Sequence, residues 1–445
     1  MTANRYTVGI VGAGITGLAI THYLAKQGID TITLEAADEP GGVIRTRAVD
    51  EHVLEVGPQR MRKTPGVVEL AEVAGVADEF VEAREERLYV YANGSLGRAP
   101  LSVGEFIGTD LLSWRGKVRM LAEPLTKPGM EHETAAELFV RKFGQEAYEK
   151  FIGPLYGGIY GSDPAEMPAR FALEGLMKLE QEAGSFLQAF RQRVGSGHQS
   201  APVTFERGNQ TLPNGLYETY SDRVELDTPV TAIEALDGGD DESYRLDTPT
   251  HSHEVDHVVV TTPATVAGEL LTGVADGAEK LAELRYNPLA LVFLHADHDR
   301  VGKGYQVAYG EDLHTLGVSW NARMFGRDGV QTAFLGGMHE PELVTESDEV
   351  LGNIARREFE QVVGAPASVI DVARLDVGFP AWDHSWKALD SLDLPATVRL
   401  ATNYTARMGI PSRIGEAKTI VEEIATAVER PTASARGQAT EEVDE

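Results

Sequence analysis

The sequence predicts an α/β fold in which a parallel, doubly wound unit is interleaved with an α+β unit built on an antiparallel sheet and with a helical subdomain. Three observations predict it. The chain opens with an apolar strand, a glycine turn, a helix and a second strand between Tyr6 and Glu35. The same rhythm returns at Val255 to Ala264 and at Thr397 to Val428. Between these, Val103 to Gln192 reads as broken helices, and Arg285 to Ala296, Thr315 to Ser319 and Gln331 to Met338 read as strands.

In the opening segment, Thr7 to Val11 is apolar and β-branched, as a strand buried on both faces requires. Gly12, Gly14 and Gly17 follow in G-x-G-x-x-G register, and Leu18 to Gln27 reads as a helix closed by Gly28. Gly12 makes the tight turn, Gly14 lets a pyrophosphate approach the backbone, and Gly17 lets helix and strand pack closely. The helix start, with Ala13, Ile15 and Thr16, offers unpaired N–H groups to phosphate. Strand Thr31 to Leu34 ends on Glu35 and Ala36, where the ribose hydroxyls of a dinucleotide would lie.

A chain of 445 residues has room for two or three domains. Its 69 acidic and 40 basic residues give a formal charge of −29, and only 11 of the basic residues are Lys against 29 Arg. An acidic, lysine-poor surface points to adaptation to high salt, and it makes nucleic acid and anionic membranes poor partners. With no Cys there is no disulfide, thiolate metal site or thiol nucleophile. No segment has the apolar length of a membrane span and the N-terminus has no apolar signal core, so a cytoplasmic location is expected, with peripheral membrane contact open.

In chain order, Glu51 to Gly57 reads as a short strand and Val67 to Ala74 as a helix. Arg87 opens a strand that reverses at Asn93-Gly94. The glycine- and aromatic-rich run Phe151 to Pro164 fits neither a normal helix nor a normal strand, and Met167 to Leu179 reads as one helix. Gly195 to Ser200 marks a boundary, Thr204 to Pro213 leads into a short helix, and Val230 precedes an acidic turn at Asp237 to Glu242. Glu349 to Val363 is an amphipathic helix, and Pro431 to Glu445 is expected to be disordered.

Past Glu35 the chain continues Glu39-Pro-Gly41-Gly42-Val43-Ile-Arg45, where an NAD-binding domain would run into another crossover. This resembles the segment after the ribose-binding glutamate in FAD enzymes of the amine oxidase superfamily. Pro154 to Pro164, Phe205 to Leu216, Tyr286 to Leu294 and Asn403 to Pro411 are similar, in addition, to segments of flavin-dependent protoporphyrinogen and coproporphyrinogen oxidases. The resemblance spans nearly the whole chain. It implies a discontinuous FAD-binding domain at 1–86, 201–284 and 371–430, a substrate-binding domain at 87–102 and 285–370, a helical subdomain at 103–200 and a tail at 431–445.

By the same resemblance, FAD contacts are expected from Gly12 to Gly17, Glu35, Ala36, Gly41, Gly42, Val43 and Arg45. Further contacts are expected from Gly57, Pro58, Gln59, Arg60, Val230, Thr262, Pro263, Trp382, Asn403, Met408, Gly409 and Ile410. The implied partner is a small-molecule tetrapyrrole, a porphyrinogen that gives hydride from a methylene bridge to flavin N5, in a monomer or homodimer. Arg87, Arg407 and Trp382 are the expected catalytic-site residues, with Arg87 resembling the family's substrate-facing arginine and Arg60 and Arg407 as further carboxylate binders.

The chain departs from the family pattern at Arg207, Thr402 and Arg407, which replace glycines, and at Trp386, which replaces a histidine. The alternatives are an amine oxidase or carotenoid-type desaturase, a sugar-nucleotide mutase, and a redox-silent FAD scaffold. Trp382 and Tyr404 are available as an amine oxidase's aromatic pair, but the strand Arg285 to Ala296 lacks the expected Lys. A mutase needs a basic diphosphate pocket, and the middle of the chain is not basic. His251, His253 and His257, and His295 with His298, have no H-E-x-x-H spacing and read as solvated residues, so no metal is expected.

Overall fold

Five parallel strands end in one row, and that alignment positions the rest of the molecule. The computed structural model describes residues 4–100, 103–130, 132–195, 200–236, 243–377, 379–405 and 408–429. The first sheet contains β1 (Asn4–Val11), β2 (Thr31–Leu34), β3 (Val224–Glu225), β4 (Ala232–Leu236), β5 (Ser243–Asp247), β6 (Ser252–Val260) and β7 (Val398–Leu400). Their order is β3-β2-β1-β6-β5-β4, with β7 also paired to β6. Val11 lies opposite both Leu34 and Val260, Leu34 opposite Glu225, and Val260 opposite Leu400, so β1, β2, β3, β6 and β7 finish level. Loops leaving those ends converge, as ligand-binding loops of doubly wound sheets do.

Burial explains why these residues form this sheet. Val258, Val259 and Val260 are fully buried, and a strand covered on both faces must be apolar without alternation. One face is covered by α1 (Ile15–Lys26) and by the helix Ile410–Glu429, where Leu18, Ala19, Ile414, Ala417 and Val421 share a core. The opposite face packs on the helix Ala264–Leu271 and the helical subdomain.

The second sheet is ordered Ser368–Leu375, Leu289–His295, Val330–Gly336, Thr315–Ser319, Gly304–Val307, Leu88–Ala92 and Ser95–Arg98. All its pairings are antiparallel except Gly304–Val307 with Leu88–Ala92. The strand Ser368–Leu375 belongs to this sheet, so the expected boundary at 371 falls within a strand.

Two helical readings need correction. The run expected to be neither helix nor strand is a helix, Gly153–Tyr160, continuous with a π-helical turn at Tyr148–Ile152. Its glycines serve close approach: a Cβ on Gly157 would lie 2.5 Å from the Tyr309 hydroxyl, and one on Gly158 2.3 Å from the Gln306 amide. The single helix expected from Met167 is two helices, Ala169–Ala172 and Glu174–Ala183, because Leu173 leaves helical geometry (φ −121°). Between these helical layers, fully buried Lys142 is paired with buried Glu123 and Glu180.

Residues 196–199 of the boundary loop, the acidic turn at Asp237 to Glu242, Arg407 and the tail Pro431 to Glu445 lie outside the described residues. Among the described residues no helix is long and apolar enough to cross a membrane.

Candidate active site

The glycine turn after β1 is built for close packing on one side and for access on the other. Gly12 has φ +107°, and a Cβ on Gly17 would lie 2.0 Å from the Gly12 carbonyl oxygen, so only glycine fits there. A Cβ on Gly14, by contrast, would meet no atom within 4 Å. Gly14 is also the N-cap of α1, where no side chain caps the helix and no acid occupies the first turn. Its free N–H groups and dipole end suit a diphosphate.

The Glu35 carboxylate accepts hydrogen bonds from Ala13 N (2.6 Å) and Ala37 N (3.0 Å), which fixes it beside the turn. Its other lone pairs are left for ribose hydroxyls. Gly41 donates to Ala13 O (2.9 Å), and a Cβ on Gly42 would lie 3.4 Å from Gly14 Cα, so the Gly41-Gly42 pair crosses directly over the turn. Arg45 holds that crossing in shape, donating to Gly42 O (3.1 Å) and pairing with Glu39 (2.6 Å).

The remaining nucleotide candidates arrive from the same row of strand ends. Ala36 follows Glu35, and Val43 is partly exposed above the crossing. Val230 is half-buried two residues past Thr228, whose N–H donates to Glu35 O (2.7 Å). Thr262 and Pro263 follow β6, and the Thr262 carbonyl accepts from Tyr404 (3.2 Å). Asn403, Met408, Gly409 and Ile410 belong to the return from β7 into the last helix, and Arg413 of that helix donates to the Thr402 carbonyl and pairs with Glu416.

Gly57 is a second close approach, since a Cβ there would lie 1.9 Å from the Val43 carbonyl oxygen. Gly57, Pro58, Gln59 and Arg60 line a cavity of about 380 Å3 against the second sheet. Its apolar walls include Leu88, Leu289, Leu316, Phe334 and Phe379, and its two cations are Arg60 and Lys303. Arg60 is held towards Ser319 Oγ (3.4 Å), and among the described residues neither cation has a carboxylate within 4 Å. Burial holds the Arg60 guanidinium below its usual range, and burial together with nearby Arg60 brings Lys303 down to about 8. No carboxylate and no His lines this cavity.

A buried polar chain joins the cavity floor to the second sheet at Thr332 and to the hairpin Thr46–Glu55. Gln59 donates to Glu55 O (2.6 Å) and Gly57 O (3.1 Å), and accepts from Asn321, which also donates to Thr332 (2.9 Å). Glu55 accepts from Thr46 Oγ1 (2.9 Å) and Asn209 N (3.0 Å) and faces Arg327 at 3.4 Å. A second cavity of about 510 Å3 shares Gly158, Gly161 and Leu316 with the first, and its walls carry Asp163, Glu311 and Glu340, with His314 beside Glu340 and His339 beside Asp163.

Other expected residues lie elsewhere. Arg87 is exposed; its carbonyl accepts from Lys303 N (2.7 Å) and its neighbour Leu88 lines the cavity, but Arg87 itself does not. Trp382 is buried and stacked on Trp386, ring centroids 4.1 Å apart, and Tyr404 is fully buried; neither lines either of these two cavities. Arg207 points away into an exposed pair with Glu79. Lys303, Asn321, Glu55 and Arg327 gave no local signal beyond Glu55's place before Gly57-Pro58, because only the folding of distant strands brings them together.

The histidines expected to be solvated are mostly not. His253, His257 and His298 are buried, and burial, helped by Arg323 and Arg300, pushes His298 down to about 4.

Comparisons with known proteins agree with this geometry. Residues 15–406 match the model of the family described as flavin containing amine oxidoreductase. Protoporphyrinogen oxidase 2, chloroplastic/mitochondrial, of Arabidopsis thaliana is 25% identical over 87% of this chain and 88% of its own length. Coproporphyrinogen III oxidase of Staphylococcus aureus is 25% identical over 84% of this chain and 88% of its own. A crystal structure described as a protoporphyrinogen oxidase from Exiguobacterium sp. 255-15 superposes with a TM-score of 0.77 at 24% identity, covering 96% of this chain and 100% of that one.

Proposed function

The chain belongs to the flavin containing amine oxidoreductase family, and from that premise we propose that its reaction is the FAD-dependent oxidation of a porphyrinogen to the porphyrin. The glycine turn, the uncapped start of α1 and the Glu35 carboxylate fit FAD, whose flavin supplies a hydride acceptor when bound. Gly57 to Arg60 form part of the cavity wall, so a ring held there would face a substrate lying against the second sheet.

One observation carries the substrate reading: an apolar slot holds two cations, Arg60 and Lys303, and among the described residues no carboxylate lies within ion-pair distance of either. An apolar tetrapyrrole macrocycle with propionates matches that pairing, because cations held away from water without an ion-pair partner invite carboxylates. An amine substrate would bring a third positive charge beside Arg60 and Lys303. A porphyrinogen loses hydride from carbon, so the chain must orient the ring and exclude water, and the lack of an acid–base pair in the lining fits. The acidic second cavity opposes further carboxylates, which favours the two propionates of protoporphyrinogen over the four of coproporphyrinogen.

The exposed face of the helical subdomain supports contact with a lipid surface from the cytoplasmic side. Trp114, Val118 and Leu121 fall at helical spacing on the helix Trp114–Leu121 and are 77%, 63% and 55% exposed, and Leu125 in the 3-10 turn that follows is 89% exposed. An apolar stripe carrying Trp suits the interface of a zwitterionic bilayer, since the chain's net negative charge opposes an anionic one.

The function is tested by offering protoporphyrinogen and coproporphyrinogen to the FAD-loaded protein in air and reading porphyrin fluorescence. Faster conversion of the first is expected. No enzyme-dependent conversion of either overturns the reading.

A further inference from the structure

On the first sheet, at β3 and the hairpin between β5 and β6, Glu225, His251 and His253 bring one ligand atom each within 4.8 Å of one another. The Glu225 Oε2 atom lies 3.1 Å from His251 Nε2 and 3.9 Å from His253 Nε2, so one carboxylate oxygen sits between two imidazole nitrogens. The two rings stand edge to face, 4.7 Å apart.

Two features set this group apart from a chance surface cluster. His253 is only 1% exposed, and both its ring nitrogens lack a hydrogen-bond partner among the described residues. A buried imidazole with neither nitrogen satisfied is unfavourable unless something occupies it. His251 is already oriented: its Nδ1 lies 2.8 Å from Thr250 Oγ1, which leaves Nε2 facing Glu225. A hydrogen bond at the far nitrogen is how proteins aim a metal-binding histidine.

We propose that Glu225, His251 and His253 form a binding site for one divalent zinc-class ion, coordinated by two Nε2 atoms and a carboxylate oxygen. Imidazole and carboxylate ligands without sulfur suit Zn2+ and exclude a soft-metal site, and a tetrahedral ion would keep one position for water. The ion would fasten β3 to the β5–β6 hairpin. Glu225 also accepts Glu35 N–H through its carbonyl (2.9 Å), so the staple would sit directly behind the ribose-binding residue. Its role is structural, and it stands independently of which substrate the enzyme oxidises.

The test uses tag-free, FAD-loaded full-length protein stripped with chelator, titrated with Zn2+ by calorimetry, with Mg2+ as a control and metal content read after gel filtration. One Zn2+ per chain is expected, with a raised melting temperature and no response to Mg2+. His251 is exposed, so His251→Ala should fold with its flavin spectrum intact yet lose the zinc uptake and the thermal shift; Glu225→Gln should lose them too. Absence of stoichiometric uptake, or uptake that survives in both variants, overturns the proposal.

Discussion

The Glu55 carboxylate lies 3.4 Å from the Arg327 guanidinium, across the junction between the nucleotide-binding unit and the second sheet. Both groups are nearly inaccessible to water, and Thr46, Thr204 and Asn209 crowd the same carboxylate. The loop that carries Gly57 to Arg60 into the cavity starts here, so this contact helps fix that loop against the second sheet.

Burial raises Glu55 to about 7, outweighing the hydrogen bonds and Arg327. The folded state therefore holds this proton more tightly than the unfolded chain does. Its contribution to stability is full at low pH and is lost as pH rises through about 7, a change on the order of 3 kcal/mol. Denaturant unfolding of the wild type and Glu55→Gln from pH 5 to 8 should show the wild type losing stability relative to the variant as pH rises. A difference independent of pH would refute this.

Gly17→Ala would place a methyl 2.0 Å from the Gly12 carbonyl, a backbone contact that no side-chain rotation relieves. A loss at the upper end of about 1–3 kcal/mol is expected, together with loss of bound FAD, because α1 must move off the turn. Gly14→Ala meets no such atom and should cost less stability while still weakening FAD binding. The flavin-to-protein absorbance ratio after gel filtration checks both.

Lys303 titrates at about 8 because burial and the neighbouring charges of Arg60 and Arg62 oppose its proton more strongly than Glu86 favours it. If it binds a propionate, KM should rise above pH 8 in the wild type while kcat changes little. Lys303→Arg should flatten that rise, and Lys303→Met should raise KM about tenfold to a hundredfold at pH 7. Steady-state kinetics across pH decides, and an unchanged KM in Lys303→Met removes this lysine from the binding site.

Trp114→Glu with Val118→Glu should abolish cosedimentation with zwitterionic vesicles and leave turnover of detergent-dispersed substrate intact. These side chains are exposed, so folding should be unaffected. Equal sedimentation of variant and wild type contradicts the lipid-facing role.

The nucleotide half was legible because its signals are local. Gly12, Gly14, Gly17 and Glu35 lie within one strand–helix–strand unit, and the backbone demands placed on them follow from spacing. The cavity was less legible, since Arg60 and Lys303 are far apart in sequence and meet only when the loop after Glu55 is laid against the strand Gly304–Val307. The family resemblance points to Arg87, but its side chain is exposed while the adjoining Leu88 lines the cavity. The helix Gly153–Tyr160 was missed because its glycines argue against a helix locally, and only the tertiary approach to Gln306 and Tyr309 explains them.

The central claim is that a porphyrinogen reduces a flavin held by this chain. Anaerobic mixing of the FAD-loaded protein with protoporphyrinogen, followed in the visible flavin band, tests it most directly. Bleaching of the band with appearance of the porphyrin spectrum is the result expected here. A flavin that stays oxidised with either porphyrinogen, yet bleaches with an amine or a polyene, would contradict it.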